Sequence, residues 1–116
     1  MSIDSDFITW KISEVRNTVT GEKAISSDVF KSSPDSLIWV SDHGNSINKL
    51  HILSKFETWP DVSADGSTSY NVTWKNIPGT IAFRRDHGEA KIVTEFVRNN
   101  VNVAPYEFSV SQVIKD

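Results

Sequence analysis

The chain has 116 residues, 38% of them hydrophobic, a formal net charge of −3 and no cysteine. This length predicts a single domain, residues 1–116, with enough chain for a two-layer core. The lack of cysteine excludes disulfides, zinc–thiolate sites and a cysteine nucleophile. Charges of both signs are mixed, and the densest basic cluster is only Arg84-Arg85. This pattern predicts no nucleic-acid partner, because a phosphate-tracking surface needs a larger excess of positive charge on one face.

The amino-terminal residues MSIDSDFITW are acidic and lack the apolar core of a signal peptide. No apolar run has the length of a membrane span, so the sequence predicts no membrane-spanning segment. Together with the absence of cysteine, these features predict a cytoplasmic protein, with unconventional secretion left open.

Alternation of apolar and polar residues predicts β-strands along most of the chain. In chain order, the predicted strands are residues 7–13, a weak and bulged strand over 24–30, then 37–40, 47–58, 70–75, 81–84, 92–97 and 105–114. Residues 47–58 also fit one face of a helix, and the choice between strand and helix stays open. Turns are predicted at Thr20–Lys23, Ser32–Asp35, Asp42–Asn45, Ile77–Gly79, Asp86–Gly88 and Asn99-Asn100.

These elements amount to about seven to nine strands with turn signals roughly every 8–12 residues. That spacing predicts an all-β fold, a single antiparallel β-sandwich, with a small closed β-barrel as the alternative. The segment Phe7–Ile12 and the later apolar run around Trp39 resemble the first strands of MATH-type peptide-binding sandwiches. The resemblance implies a sandwich, and no site residue is carried over from it.

The tripeptide Asp-His-Gly occurs twice, at residues 42–44 and 86–88. If both turns lay at the same end of the fold, His43, His87 and the two aspartates could converge on a metal or a ligand. Turn chemistry explains the same composition without a site, because Asp begins turns and Gly supplies a positive φ. Asn45, which follows the first copy, is a further candidate ligand-binding residue.

A partial calcium-loop pattern lies at Asp61-Val62-Ser63-Ala64-Asp65-Gly66. Alternate oxygen ligands followed by Gly suit a hard cation, which makes Asp61, Ser63 and Asp65 candidate metal ligands. The position that needs a bidentate Glu is Val72, and no helix is predicted on either side. The sequence therefore predicts no cofactor other than calcium at this loop. The alternative is an ordinary Asp- and Gly-rich loop that binds no metal.

The chain contains four tryptophans. Trp10, Trp39 and Trp74 lie among apolar neighbours and are predicted core residues. Trp59 differs, because it precedes Pro60 at a strand end beside a polar loop. It is predicted either to cap one end of the fold or to form an exposed platform on which a sugar stacks.

The remaining charged cluster is Arg84-Arg85, with Lys75 and Lys91 on neighbouring strands. It could hold a phosphate or an acidic partner, or it could be neutralised by Asp86 and Glu89. None of the common catalytic motifs is present, so the protein is predicted not to be an enzyme, with a metal-dependent enzyme as the minor alternative.

The sequence therefore predicts a ligand-binding module, most of all a lectin-like carbohydrate-binding domain that uses loops at one end of a β-sandwich. Its predicted ligand-binding residues are Trp59, Asp61, Asp65, Asn45, His43 and His87. The alternative is a domain that binds a protein or peptide at a sheet face or edge. Such modules often gain avidity by self-association, so a homo-oligomer is a possible state.

Overall fold

The structure is a computed structural model that describes residues 1–116, apart from the side chain of Asp42. It contains nine β-strands and one short 3-10 turn. The strands are β1 (Ile8–Asn17), β2 (Lys23–Ile25), β3 (Val29–Ser32), β4 (Leu37–Ser41), β5 (Ser46–Lys55), β6 (Gly66–Trp74), β7 (Ile77–Asp86), β8 (Glu89–Arg98) and β9 (Val101–Lys115). The 3-10 turn, Asp42–Gly44, joins β4 to β5.

The strands form one antiparallel sheet that closes into a barrel. Strands β3 to β9 pair in sequence order, and β9 pairs back onto β1, which gives eight strands in the barrel and β2 as an extra strand. The closing ladder runs from Ile8 opposite Lys115 to Asn17 opposite Tyr106. The all-β prediction is confirmed. Of the two predicted architectures, the structure has the alternative, the closed β-barrel, and not the sandwich. The sandwich implied by the MATH resemblance is not the architecture of this chain.

Strands β2 and β3 are two halves of one bulged strand. Both lie antiparallel to β1 on the same side, with Ala24 opposite Val15 and Phe30 opposite Trp10. Residues 26–28 interrupt the ladder between them. The predicted weak, bulged strand is confirmed, and its interruption gives the barrel wall a local break.

The strand prediction for residues 47–58 is confirmed over most of its length, because β5 covers Ser46–Lys55. The predicted turn at Ile77–Gly79 is wrong. These residues belong to β7, and the turn lies one step earlier at Lys75 and Asn76, which take φ values of 50° and 65°. Two successive residues with positive φ make a tight hairpin turn whose twist matches that of the flanking strands.

Aromatic side chains fill the barrel interior. Trp10, Phe30, Phe83 and Phe108 are almost completely buried, and Phe83 lies 5.0 Å from Trp10 between ring centroids. An eight-stranded barrel is just wide enough for side chains to fill it. Burial of each large side chain contributes roughly 1.5–3 kcal/mol, so this interior is the main source of stability. Within the described residues, no helix is long and apolar enough to cross a membrane.

Neighbouring strands are antiparallel, so successive connections between them alternate between the two ends of the barrel. The plugged end contains the loop of residues 56–65 and the turn of residues 86–88. The open end contains residues 18–22, the interruption at 26–28 and the turns at 42–45, 75–76 and 99–100.

Candidate functional site

The two Asp-His-Gly turns lie at opposite ends of the barrel. His43 is in the turn between β4 and β5 at the open end, and His87 is in the turn between β7 and β8 at the plugged end. Three antiparallel strands, β5, β6 and β7, separate the two turns along the chain, so the turns lie at opposite ends. The proposed convergence of the two histidines is therefore wrong. The Asp42 side chain lies outside the described residues.

Trp59 closes the plugged end from inside. Its side chain is only 2% exposed, and its indole Nε1 donates a 3.1 Å hydrogen bond to the carbonyl oxygen of Ala64. The ring lies directly over Gly66, where a Cβ atom would be 2.6 Å from two of the indole atoms. Of the two predictions for Trp59, the cap is correct and the exposed sugar platform is wrong. A buried indole has no free face for a ligand.

The carboxylates of the 61–65 loop are bonded to the protein itself. Asp61 accepts hydrogen bonds from the hydroxyl and from the backbone N–H of Ser63, and both bonds lower the pKa of Asp61. Asp65 accepts bonds from the backbone N–H groups of His87 and Gly88, both at 3.1 Å. Among the residues that the structure describes, no three His, Cys, Asp or Glu side chains are grouped as metal ligands. Asp61 and Asp65 thus stabilise turns at this end of the barrel.

A pocket of about 480 Å³ opens at the other end of the barrel. Its aromatic floor comprises Trp39, Tyr106 and Phe108, whose rings meet edge to face at centroid distances of 5.7–6.5 Å. Trp39 and Phe108 are buried, whereas Tyr106 is partly exposed in the mouth. Alternation places these side chains inside the barrel, and the break between β2 and β3 leaves them reachable.

Polar groups surround this aromatic floor. The Asp28 carboxylate accepts a 2.9 Å hydrogen bond from Trp39 Nε1 through its Oδ2 atom. The Ser27 hydroxyl lies 3.0 Å from His43 Nδ1, which joins the interrupted strand to the β4–β5 turn. Asn17, at the end of β1, also lines the pocket. The open end thus combines apolar ring faces with hydrogen-bonding groups that a small polar ligand needs.

Among the six predicted ligand-binding residues, His43 alone lines this pocket. Asn45 is exposed in the adjacent turn, and His87 is an exposed tip that contacts Asp86 at 3.0 Å. Four residues that line the pocket were not predicted as site residues from the sequence: Asn17, Ser27, Asp28 and Tyr106. The polar run Ser26-Ser27-Asp28 inside a weak strand was a usable signal, because a bulge re-aims side chains at a barrel rim.

Comparisons with protein-family models, with curated proteins and with solved structures found no match to this chain.

Proposed function

We propose that this protein is a non-enzymatic carbohydrate-binding module whose ligand enters the pocket at the open end of the barrel. The single observation that carries the proposal is the pairing of an aromatic floor with a polar rim in one pocket. Sugars present apolar C–H faces and a ring of hydroxyls, so their recognition needs both features.

Tyr106 supplies the stacking surface, because it is the partly exposed aromatic residue of the floor. Asp28 supplies a fixed acceptor, since the Trp39 indole holds one of its oxygens in place. Ser27 and His43 add groups that both donate and accept. The pocket volume of about 480 Å³ lies inside the range of roughly 300–1,000 Å³ typical of small-molecule sites.

The test is a screen of the purified protein on a glycan array, followed by calorimetric titration of the best sugar. Tyr106→Ala and Asp28→Asn should each weaken binding by about tenfold or more, because one stacking or charged contact contributes roughly 1.4 kcal/mol or more. His87→Ala at the plugged end is the matched control and should bind as the unmodified protein does. The proposal would be contradicted if no sugar bound at millimolar concentration, or if Tyr106→Ala bound the sugar as tightly as the unmodified protein does.

Peptide binding at the β2 edge is the second candidate. Among the described strands, β2 pairs with β1 alone, and all three of its residues are exposed, Ile25 by 95%. An exposed strand edge is a template for strand addition. A peptide bound there would be retained in Tyr106→Ala and in Asp28→Asn, whereas a sugar in the pocket would be lost in both variants.

A further inference from the structure

A second opening, unrelated to the proposed sugar pocket, lies in the barrel wall near the plugged end. The ladder between β8 and β9 ends where Lys91 faces Ser109. Strand β9 then continues along β1 as far as Lys115. The two strands thus separate and leave a cleft of about 510 Å³ between them.

Arg85 lines this cleft from inside the barrel. It follows Ile81 and Phe83 in the inward-facing alternation of β7, and it is partly buried. Its Nε atom donates a 2.9 Å hydrogen bond to the carbonyl of Val62, and Nη1 donates a 2.8 Å bond to the carbonyl of Gly88. Nη2 makes no hydrogen bond with the described residues. The guanidinium therefore keeps unused donors beside the cleft.

The charge of Arg85 also lacks a neutralising partner within the protein. Among the side chains that the structure describes, no carboxylate lies within the 4.0 Å limit of an ion pair with this guanidinium. Its neighbour Arg84 points outward and pairs with Glu107 at 3.0 Å. Partly buried charges are normally paired, so an uncompensated guanidinium favours an anion that comes from outside.

From this geometry we infer that the cleft between β8 and β9 is an oxyanion subsite in which Arg85 binds a carboxylate or phosphate group. A guanidinium matches the spacing of two such oxygens, and charge-assisted bonds of this kind are stronger than neutral ones. Ser109 adds a hydroxyl donor beside the cleft. Ser63 and Ser111 also line it, but their hydroxyls donate to Asp61 and to the carbonyl of Lys11. Lys91 lies at the rim, where it is paired with Glu107 at 3.3 Å. Glu89 also lines the cleft but is exposed to solvent.

The experiment is a titration of the isotope-labelled protein with inorganic phosphate and, separately, with acetate, followed by backbone amide NMR shifts. We expect saturable shifts at residues 88–91 and 109–112, with millimolar affinity for at least one anion. Phosphate alone would assign a phosphate site, and acetate alone a carboxylate site. The chemical shifts of amides around the sugar pocket at the open end should not change, so this test is independent of the proposed function.

Two adjacent arginines supply a matched pair of variants. Arg85→Gln should abolish the saturable shift changes on anion addition. Arg84→Gln removes a charge that points away from the cleft and should leave those changes intact. Ser111→Asp tests the same point without touching the bonds of Arg85 to the backbone, and it should weaken binding by about tenfold. The inference is overturned if the unmodified protein gives only a linear response to both salts, or if Arg85→Gln or Ser111→Asp binds as well as the unmodified protein.

Discussion

The indole Nε1 of Trp39 donates a 2.9 Å hydrogen bond to Oδ2 of Asp28. This bond joins the floor of the open-end pocket to its rim, because Trp39 lies on β4 and Asp28 lies in the break between β2 and β3. Trp39 is 6% exposed and stacks on Phe30 with a centroid distance of 5.8 Å. A buried indole N–H needs an acceptor, so Asp28 has a structural role as well as the proposed role in binding.

Asp28→Ala should lower the free energy of unfolding by about 1–3 kcal/mol, because it leaves the Trp39 N–H without its acceptor. The measurement is urea denaturation followed by circular dichroism. Trp39→Phe removes the donor, and the double variant then gives the coupling energy between the two residues. We expect a coupling of about 1 kcal/mol or more. Additive effects of the two substitutions would show that the bond contributes nothing to stability.

Glu107 is predicted to make the stability of the barrel depend on pH. It is only 14% exposed and lies within 3.0–3.4 Å of Arg84, Lys91 and Arg16. Burial opposes its ionisation, but the hydrogen bond from Lys91 and the charges of Lys91, Arg16 and Arg84 outweigh burial, so the pKa of Glu107 lies below its usual value of 4.5. The unfolded chain therefore binds this proton more readily than the folded one.

The sign of the effect follows from that difference. The contribution of Glu107 is present above pH 4.5, the ordinary pKa of the group, and is lost as the pH falls through the lower folded-state pKa. Glu107→Gln should destabilise the protein by about 1–3 kcal/mol near neutral pH, and the difference should shrink in acid. Denaturation at a series of pH values measures it. Glu95→Gln, an exposed position on the same outer face, is the control and should stay within about 0.5 kcal/mol throughout. A constant difference down to strong acid would contradict the prediction.

Gly66→Ala should destabilise the barrel although a compatible Gly-to-Ala change commonly stabilises a protein. The added Cβ would lie 2.6 Å from Cδ1 and Nε1 of the Trp59 indole, and such overpacking costs about 1–3 kcal/mol. Thermal or urea denaturation gives the sign directly. In a Trp59→Leu background the obstacle is gone, and the same substitution should cost less. An increase in stability on adding the methyl group to the unmodified protein would show that the indole does not cap Gly66.

Local pattern predicted the strands well. The alternation of Tyr70, Val72 and Trp74 with polar neighbours gave β6, and the inward-facing Ile81 and Phe83 gave β7. These assignments succeed because a strand with one buried face must repeat its apolar residues with a period of two. The turn after β6 was misplaced, because proline and glycine at residues 78 and 79 look like a turn, while Lys75 and Asn76 adopt positive φ without glycine.

The sequence by itself determined the all-β class, the main strands and a core rich in aromatic residues, since each of these depends on neighbours along the chain. Only the tertiary structure decided that β9 closes onto β1, that Trp59 turns inward and that His43 and His87 lie at opposite ends. Each of these outcomes depends on the order in which strands pair and on the parity of chain reversals, which local alternation does not encode. The open-end pocket and the Arg85 cleft exist for the same reason, because both lie where neighbouring strands part.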